Sequence, residues 1–261
     1  MSKLVLYLIG TSLMCTLVAQ VEPGAGRWKT WVIPSCSALR LPAPLDSAIT
    51  AAELKWVKEY VRQRDQAALG TIHLWDAGSP GCRWMRLAEQ SVVNASLPTP
   101  LQTRAFALAA SAIFDATIAA WDSKYAYNRS HPSDLDAAVS PVVAVRQSPP
   151  YPSEHALTGG AAAGVLELRP SQADPTIVPV FANPQHPGFP SGHACASGAS
   201  AAVMSQLFPD DAQFFATTAN AAGNSTLDAE IHTPYDVSQG LLLGTQVGQR
   251  IAARASADGA N

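Results

Sequence analysis

The run from Thr99 to about Lys124 constrains the fold more than any other stretch of this chain. Thr99-Pro100 reads as a cap residue followed by proline at the first helical position. Leu101, Phe106, Leu108, Ala109, Ile113, Ile118 and Trp121 then leave little polar face, so the spacing predicts a helix buried on most sides. Such a helix needs other helices around it. Its one central carboxylate, Asp115, has to be paired or to face water, because an unpaired buried charge is expensive.

The rest of the chain supplies those neighbours. Residues 20–47 are rich in Pro, Gly and Ser and read as an extended lead-in carrying Trp28 and Trp31. Thr50-Ala51-Ala52-Glu53 has the pattern of a capping box and opens a helix to about Arg64, with Leu54, Val57 and Val61 on one face. A short helix follows, up to the break at Asp76–Gly81, and a third runs from Arg83 to about Val93. Lys124–Pro132 ends the long apolar helix. A proline loop leads to a small-residue helix over Glu154–Glu167, and a second proline loop leads to a helix from Ser191 to about Leu207. Two more helices are predicted, one from Pro209 to about Ala222 and one from Pro234 to about Arg254. Strand signals are sparse, so the fold class is all-α, a helical bundle with long proline-rich loops, in one domain over residues 48–261.

Only 14% of the 261 residues are charged, and the formal charge is −3. That balance gives no nucleic-acid footprint and no acidic tail. Met1–Ala19 reads as an export signal, with Lys3 as its positive start and an apolar run after it; Leu13-Met14-Cys15 is the alternative, a lipoprotein site. No later stretch is expected to span a bilayer, since Ala105–Trp121 carries Asp115. The mature protein is expected to be soluble, and periplasmic or secreted. Three cysteines would remain after cleavage, and an oxidising compartment would permit a Cys36–Cys82 bridge. None has zinc-site spacing, so no metal site is expected.

One internal repeat is present. Residues 131–166 align without gaps on residues 169–204, with roughly sixteen of about 36 positions identical, a density that marks a duplicated loop-plus-helix unit. The pairs include Pro132/Pro170, Ser153/Ser191, His155/His193 and Gly160/Gly198. In the first copy Glu154 stands in place of Gly192 and His131 in place of Arg169. On charge grounds the second copy is the better oxyanion binder.

Within that second copy, Phe189-Pro190-Ser191-Gly192-His193 forms a helix start. Ser191 suits an N-cap, Gly192 allows close approach of a bound group, and His193 falls in the first turn. This is either a helix cap leading into a small-residue packing helix or a site for a tetrahedral oxyanion. His232-Thr233-Pro234-Tyr235-Asp236 is the other chemical stretch. His232 and Asp236 are four residues apart at a helix start, so the carboxylate can hydrogen-bond the imidazole as a base-plus-orienter pair; the alternative is a packed helix with an ordinary histidine. Gly240, Gly244 and Gly248 recur every fourth residue and present one face for close helix approach.

Taken together, Lys124 at a helix end, Arg169-Pro170, Pro190-Ser191-Gly192-His193 and His232-x-x-x-Asp236-x-x-x-Gly240 resemble the type 2 phosphatidic acid phosphatase / vanadium-dependent haloperoxidase superfamily. Trp28–Trp31, Trp75–Gly78 and Trp121–Arg129 are similar to its soluble, exported, bacterial branch. The resemblance implies that His232 is the nucleophile forming a phosphohistidine, or the axial ligand of vanadate. It implies that Asp236 orients His232, that His193 is the general acid, and that Ser191 and the Gly192 amide hold an equatorial oxygen. Lys124 would neutralise the guest's charge, and either Arg169 joins it across the inserted repeat or one cation of the family pattern is lost.

Two positions depart from the family pattern. Where the family has lysine, six residues and then Arg-Pro, this chain has His131-Pro132. Where it has arginine six residues before the last histidine, this chain has Thr226. Arg129, His131, Thr226, and Ser153 and His155 of the first copy are therefore weaker candidates for the pocket. The implied function is hydrolysis of phosphomonoesters without a cofactor, on a small phosphorylated or oxyanion ligand. The alternatives are a vanadium-dependent haloperoxidase, with vanadate held through His232, and a weakened or inactive anion-binding member.

Overall fold

A computed structural model describes residues 23–77, 80–143 and 189–259. The expected leader, the expected helix Glu154–Glu167, and Arg169, Ser153 and His155 lie outside the described residues. After a 3-10 turn at Pro23–Arg27 come helices α1 (Ser47–Gln63), α2 (Gln66–Asp76), α3 (Pro80–Asn94), α4 (Thr99–Tyr127) and the single turn α5 (Pro132–Leu135). Then follow α6 (Gly192–Leu207), a 3-10 turn at Pro209–Asp211, α7 (Ala212–Asp228) and α8 (Pro234–Ser256). No strand occurs among the described residues, and the fold is all-α.

Several helix boundaries differ from the expectation for local reasons. α1 begins at Ser47 because Asp46 is its N-cap, its carboxylate accepting from the Ile49 amide at 2.9 Å. Thr50 and Glu53 therefore lie inside the helix and cannot form its capping box. α4 is preceded by Pro98 as N-cap, which leaves Thr99 in the first turn. α7 runs six residues past Ala222, through Gly223-Asn224-Ser225-Thr226. Helix propensity is weak there, but the Ser225 and Thr226 hydroxyls donate back to the Ala222 and Gly223 carbonyls. Gly223 also lets α8 come close, since a Cβ on it would meet Val237 Cγ1 at 2.8 Å.

α4 is the buried centre of the bundle. Its first half, with Ala105, Ala109 and Ile113, packs on Trp84, Ala88 and Val92 of α3, Met204 of α6 and Phe215 of α7. The indole of Trp84 is fully buried and donates to Ser197 Oγ at 2.9 Å, which satisfies its one polar atom. The second half of α4, with Ala112, Ala116 and Ala119, packs on Cys195, Ala199 and Val203 of α6 and on Leu243, Val247 and Ile251 of α8. Thr99–Leu135 is long and apolar enough to cross a membrane by length and composition, despite Asp115; in the bundle most of its apolar window is buried.

The lead-in is stitched along α4. Asp115, fully buried, accepts from three backbone amides of the lead-in: Trp31 at 2.7 Å, Val32 at 2.8 Å and Ile33 at 3.0 Å. That answers the requirement set by its burial. Arg40 forms a two-pronged pair with Asp122 at 2.7 and 2.8 Å, and Tyr127 donates to the Leu41 carbonyl at 2.5 Å. An asparagine at 115 would present an NH2 to one or more of those amides. Asp115→Asn is expected to lose about 2 kcal/mol of stability, read as a lower urea midpoint at unchanged slope.

Cys36, Cys82 and Cys195 are free thiols, so the permitted Cys36–Cys82 bridge is not formed. Cys36 sits on the lead-in, and Cys82 is exposed in the first turn of α3.

Candidate functional site

The starts of α6 and α8 are joined directly: the Ser191 amide donates to the Asp236 carbonyl at 3.0 Å. The glycine face of α8 makes this approach possible. A Cβ on Gly240 would lie 2.6 Å from the Ser191 carbonyl oxygen, and one on Gly244 would collide with the Cys195 carbonyl. Ser191 is the N-cap of α6, its hydroxyl accepting from the Ala194 amide at 3.3 Å. Gly192 and the half-buried His193 follow in the first turn. A Cβ on Gly192 would meet nothing within 4 Å, so open space lies beside a helix start whose first-turn amides have no acceptor in their own helix.

α8 begins with a capping box. Thr233 Oγ1 accepts from the Asp236 amide at 3.3 Å, and Asp236 Oδ2 accepts from the Thr233 amide at 2.8 Å. His232 stands just before it, 4% exposed. Its amide and that of Ile231 donate to the Thr226 carbonyl at 3.3 and 3.0 Å. The Thr226 hydroxyl turns into its own helix, donating to the Gly223 carbonyl at 2.7 Å. Thr226 therefore holds the backbone of His232 and brings no charge to it.

Asp236 does not hold His232 as expected. Oδ2 lies 3.9 Å from His232 Nδ1, beyond hydrogen-bond distance. The carboxylate is engaged by the cap and by Arg129, whose Nη1 reaches Oδ1 at 2.6 Å. Burial pushes the Asp236 carboxyl up to about 6, although Arg129 and Thr233 pull it down.

Arg129, buried after the end of α4, also donates through Nη2 to Glu53 Oε2 at 2.9 Å. Glu53 Oε1 accepts from the Tyr235 amide in the first turn of α8 at 2.8 Å. Glu53 is a site residue that the sequence did not disclose. Its local pattern matched a cap for α1, and the helix it serves begins 181 positions later, at Pro234.

His131 takes a place beside His232, their ring centroids 5.7 Å apart. Its Nδ1 lies 3.0 Å from the Ile231 carbonyl; a carbonyl only accepts, so that nitrogen carries the proton. Phe189 stacks on Tyr235, with centroids 5.5 Å apart, and meets Tyr127 edge-on at 6.0 Å. These rings tie the end of α4 to both helix starts.

Lys124 lies in the last turn of α4, 2% exposed. Burial pushes its ammonium down to about 8, against a pull upward from Asp236 and from Cys195. The Cys195 thiol donates to the Ala116 carbonyl at 3.2 Å and is pushed up to about 12 by burial, so it stays protonated and unreactive. Between pH 8 and the ordinary lysine value of 10.5, the unfolded chain keeps a proton that the folded chain releases. The contribution of Lys124 to stability is therefore expected to rise with pH across that window, its burial penalty being fully present below it, while above pH 9 the raised Cys195 thiol opposes the rise. Lys124→Met should flatten the rise, which urea midpoints at about pH 7 and about pH 9.5 would measure.

A family model, the VCPO second helical-bundle domain, matches residues 104–221, from the first turns of α4 into α7. That match covers less than half of the chain, and it agrees with the resemblance to the type 2 phosphatidic acid phosphatase / vanadium haloperoxidase superfamily carried by the sequence motifs. Among solved structures it is similar to a bacterial vanadium-dependent iodoperoxidase, at 19% identity and a TM-score of 0.65, over 89% of this chain and 56% of that one. It is also similar to a holo-type bacterial vanadium-dependent chloroperoxidase, at 15% identity and a TM-score of 0.59, over 90% of this chain and 55% of the other. The chain thus spans just over half the length of each. A comparison with curated proteins found no match. Both solved neighbours are vanadium-dependent, and that finding overturns the expectation of a superfamily member that works without a cofactor.

Proposed function

We propose that the protein binds a tetrahedral oxyanion between the starts of α6 and α8 and the end of α4, and that it acts as a vanadate-dependent haloperoxidase. The observation that carries this reading is the Ser191–Asp236 backbone bond, which joins two helix starts beside the buried Lys124. The vanadium-dependent neighbours support the choice of guest. The donor set suits vanadate: open space at Gly192, a helix N-terminus, an ammonium and a buried imidazole. His232, Lys124, Ser191 and the Gly192 amide would hold it. Bound vanadate would supply a Lewis-acidic centre that activates hydrogen peroxide toward halide.

The chain's own residues do the rest. Lys124 balances anionic charge in a site with little water, where charge–charge attraction is strong. His193, in the first turn of α6, gives or takes a proton at its imidazole. His131 donates from Nδ1 to the Ile231 carbonyl, which fixes its ring against His232. Phe189, Tyr127 and Tyr235 keep one side of the site apolar.

A second reading, hydrolysis of phosphomonoesters through a phosphohistidine on His232, is favoured by the charge count. Arg129 is bonded to two carboxylates and Thr226 adds no charge, so Lys124 carries most of the positive field. A transient ester needs less of that field than a permanently bound vanadate. Two assays on the purified protein separate the readings. Halide oxidation by hydrogen peroxide that depends on added orthovanadate supports the first. Phosphate release that orthovanadate inhibits, without halide oxidation, replaces it with the second. Absence of both turnovers rejects both and leaves an anion-binding role.

A further inference from the structure

We propose that Glu53 restrains the oxyanion pocket: it cancels the charge of Arg129 and occupies an amide at the start of α8 that an anionic guest would otherwise use. This rests on the pocket described above and adds a residue that sets its charge preference.

Three observations carry it. Arg129 and Glu53 are both buried, 9% and 8% exposed, and Nη2 donates to Oε2 at 2.9 Å. The other oxygen of Glu53 accepts from the Tyr235 amide at 2.8 Å, in the turn immediately after His232. The same guanidinium reaches Asp236 Oδ1 at 2.6 Å and Thr233 Oγ1 at 3.4 Å, so it lies against the residue next to His232. One arginine thus faces two carboxylates. Their sum is one negative charge, which Lys124 brings to zero. The amides of the α8 start are taken by this chain's own carboxylates, Asp236 on Thr233 and Glu53 on Tyr235. The α6 start, capped by a neutral serine hydroxyl, is left for the guest. A pocket of zero net charge disfavours doubly charged guests relative to singly charged ones, because the cost of burying a second charge finds no matching cation.

Glutamine at position 53 keeps an oxygen for the Tyr235 amide and removes the charge. The test is the dissociation constant for sulfate, whose double charge is fixed, and for orthovanadate, by calorimetry at one pH. Glu53→Gln is expected to tighten sulfate binding about ten-fold or more, the scale of one unit charge acting across a partly screened interior. The double variant Glu53→Gln/Arg129→Gln should lose that gain. A carboxylate that only capped α8 would leave binding unchanged or weaker when removed, and either result in folded Glu53→Gln protein overturns the inference while leaving the pocket intact.

Should Glu53→Gln fail to fold, the double variant decides alone, since it removes a neutral pair. An affinity within a few-fold of wild type supports cancellation. A drop of about ten-fold or more would mean that Arg129 acts as a net cation, and overturns it. Sulfate or vanadate binding that appears only in Glu53→Gln supports the restraint and limits the wild-type function. Binding by neither protein refutes the pocket itself, and this inference with it.

Discussion

His232→Ala is expected to abolish turnover, by about a thousand-fold or more, while leaving the fold intact. Removing a group that reacts directly, or holds the reacting centre, carries effects of about that size or larger. The fold should survive because what anchors this turn is backbone: the His232 and Ile231 amides bond the Thr226 carbonyl, and alanine keeps both bonds. The reciprocal cap between Thr233 and Asp236 does not involve the imidazole. The check is a rate assay for halide oxidation and for phosphate release, beside a thermal melt of the same preparation. A folded variant with wild-type rates in whichever assay the parent passes would remove His232 from the chemistry.

Gly244→Ala should produce the largest loss of stability, more than about 3 kcal/mol. The added Cβ would overlap the Cys195 carbonyl and approach the Ala199 amide nitrogen at 2.9 Å. Both are backbone atoms of α6, and no rotamer change can relieve the contact. α6 would have to move off α8. That movement would also carry the Ser191 end of α6 away from Asp236 and the Cys195 turn away from α4. The melting temperature should fall by about 6–12 °C at that cost for a domain of this size, and oxyanion binding should weaken with it. Gly192→Ala is the contrasting case. Its Cβ meets nothing, and alanine is about 1 kcal/mol better than glycine inside a helix. The protein should therefore be at least as stable, while the methyl occupies space the guest needs. Stability that rises as binding falls would be measured by a melt and a titration on one sample.

Much of this architecture is legible without coordinates because its signals are local or periodic. An apolar run without a polar side means a surrounded helix, and α4 is surrounded. Ser191 is a capping residue by chemistry, and it caps α6. Glycines at every fourth position mean a helix face with no side chains, and α6 backbone lies against it. The need for partners at Asp115 was also readable, since it follows from burial alone.

What stayed hidden were the identities of those partners. Asp115 is met by amides 82 to 84 positions earlier. Glu53 caps a helix at the other end of the chain, and Asp236 turns from the histidine four residues away to an arginine 107 positions earlier. Thr226, read as the poor substitute for a cation, proves to support the turn that carries His232.

By itself, then, the amino-acid order determined which stretches are helical and which faces lose water, and it marked the side chains whose chemistry suits an oxyanion. Those properties depend on residues within one or two turns of each other. Only the tertiary structure decided which carboxylate meets which cation. A buried charge takes the nearest partner in space, and periodicity along the chain says that a face is covered without saying by what.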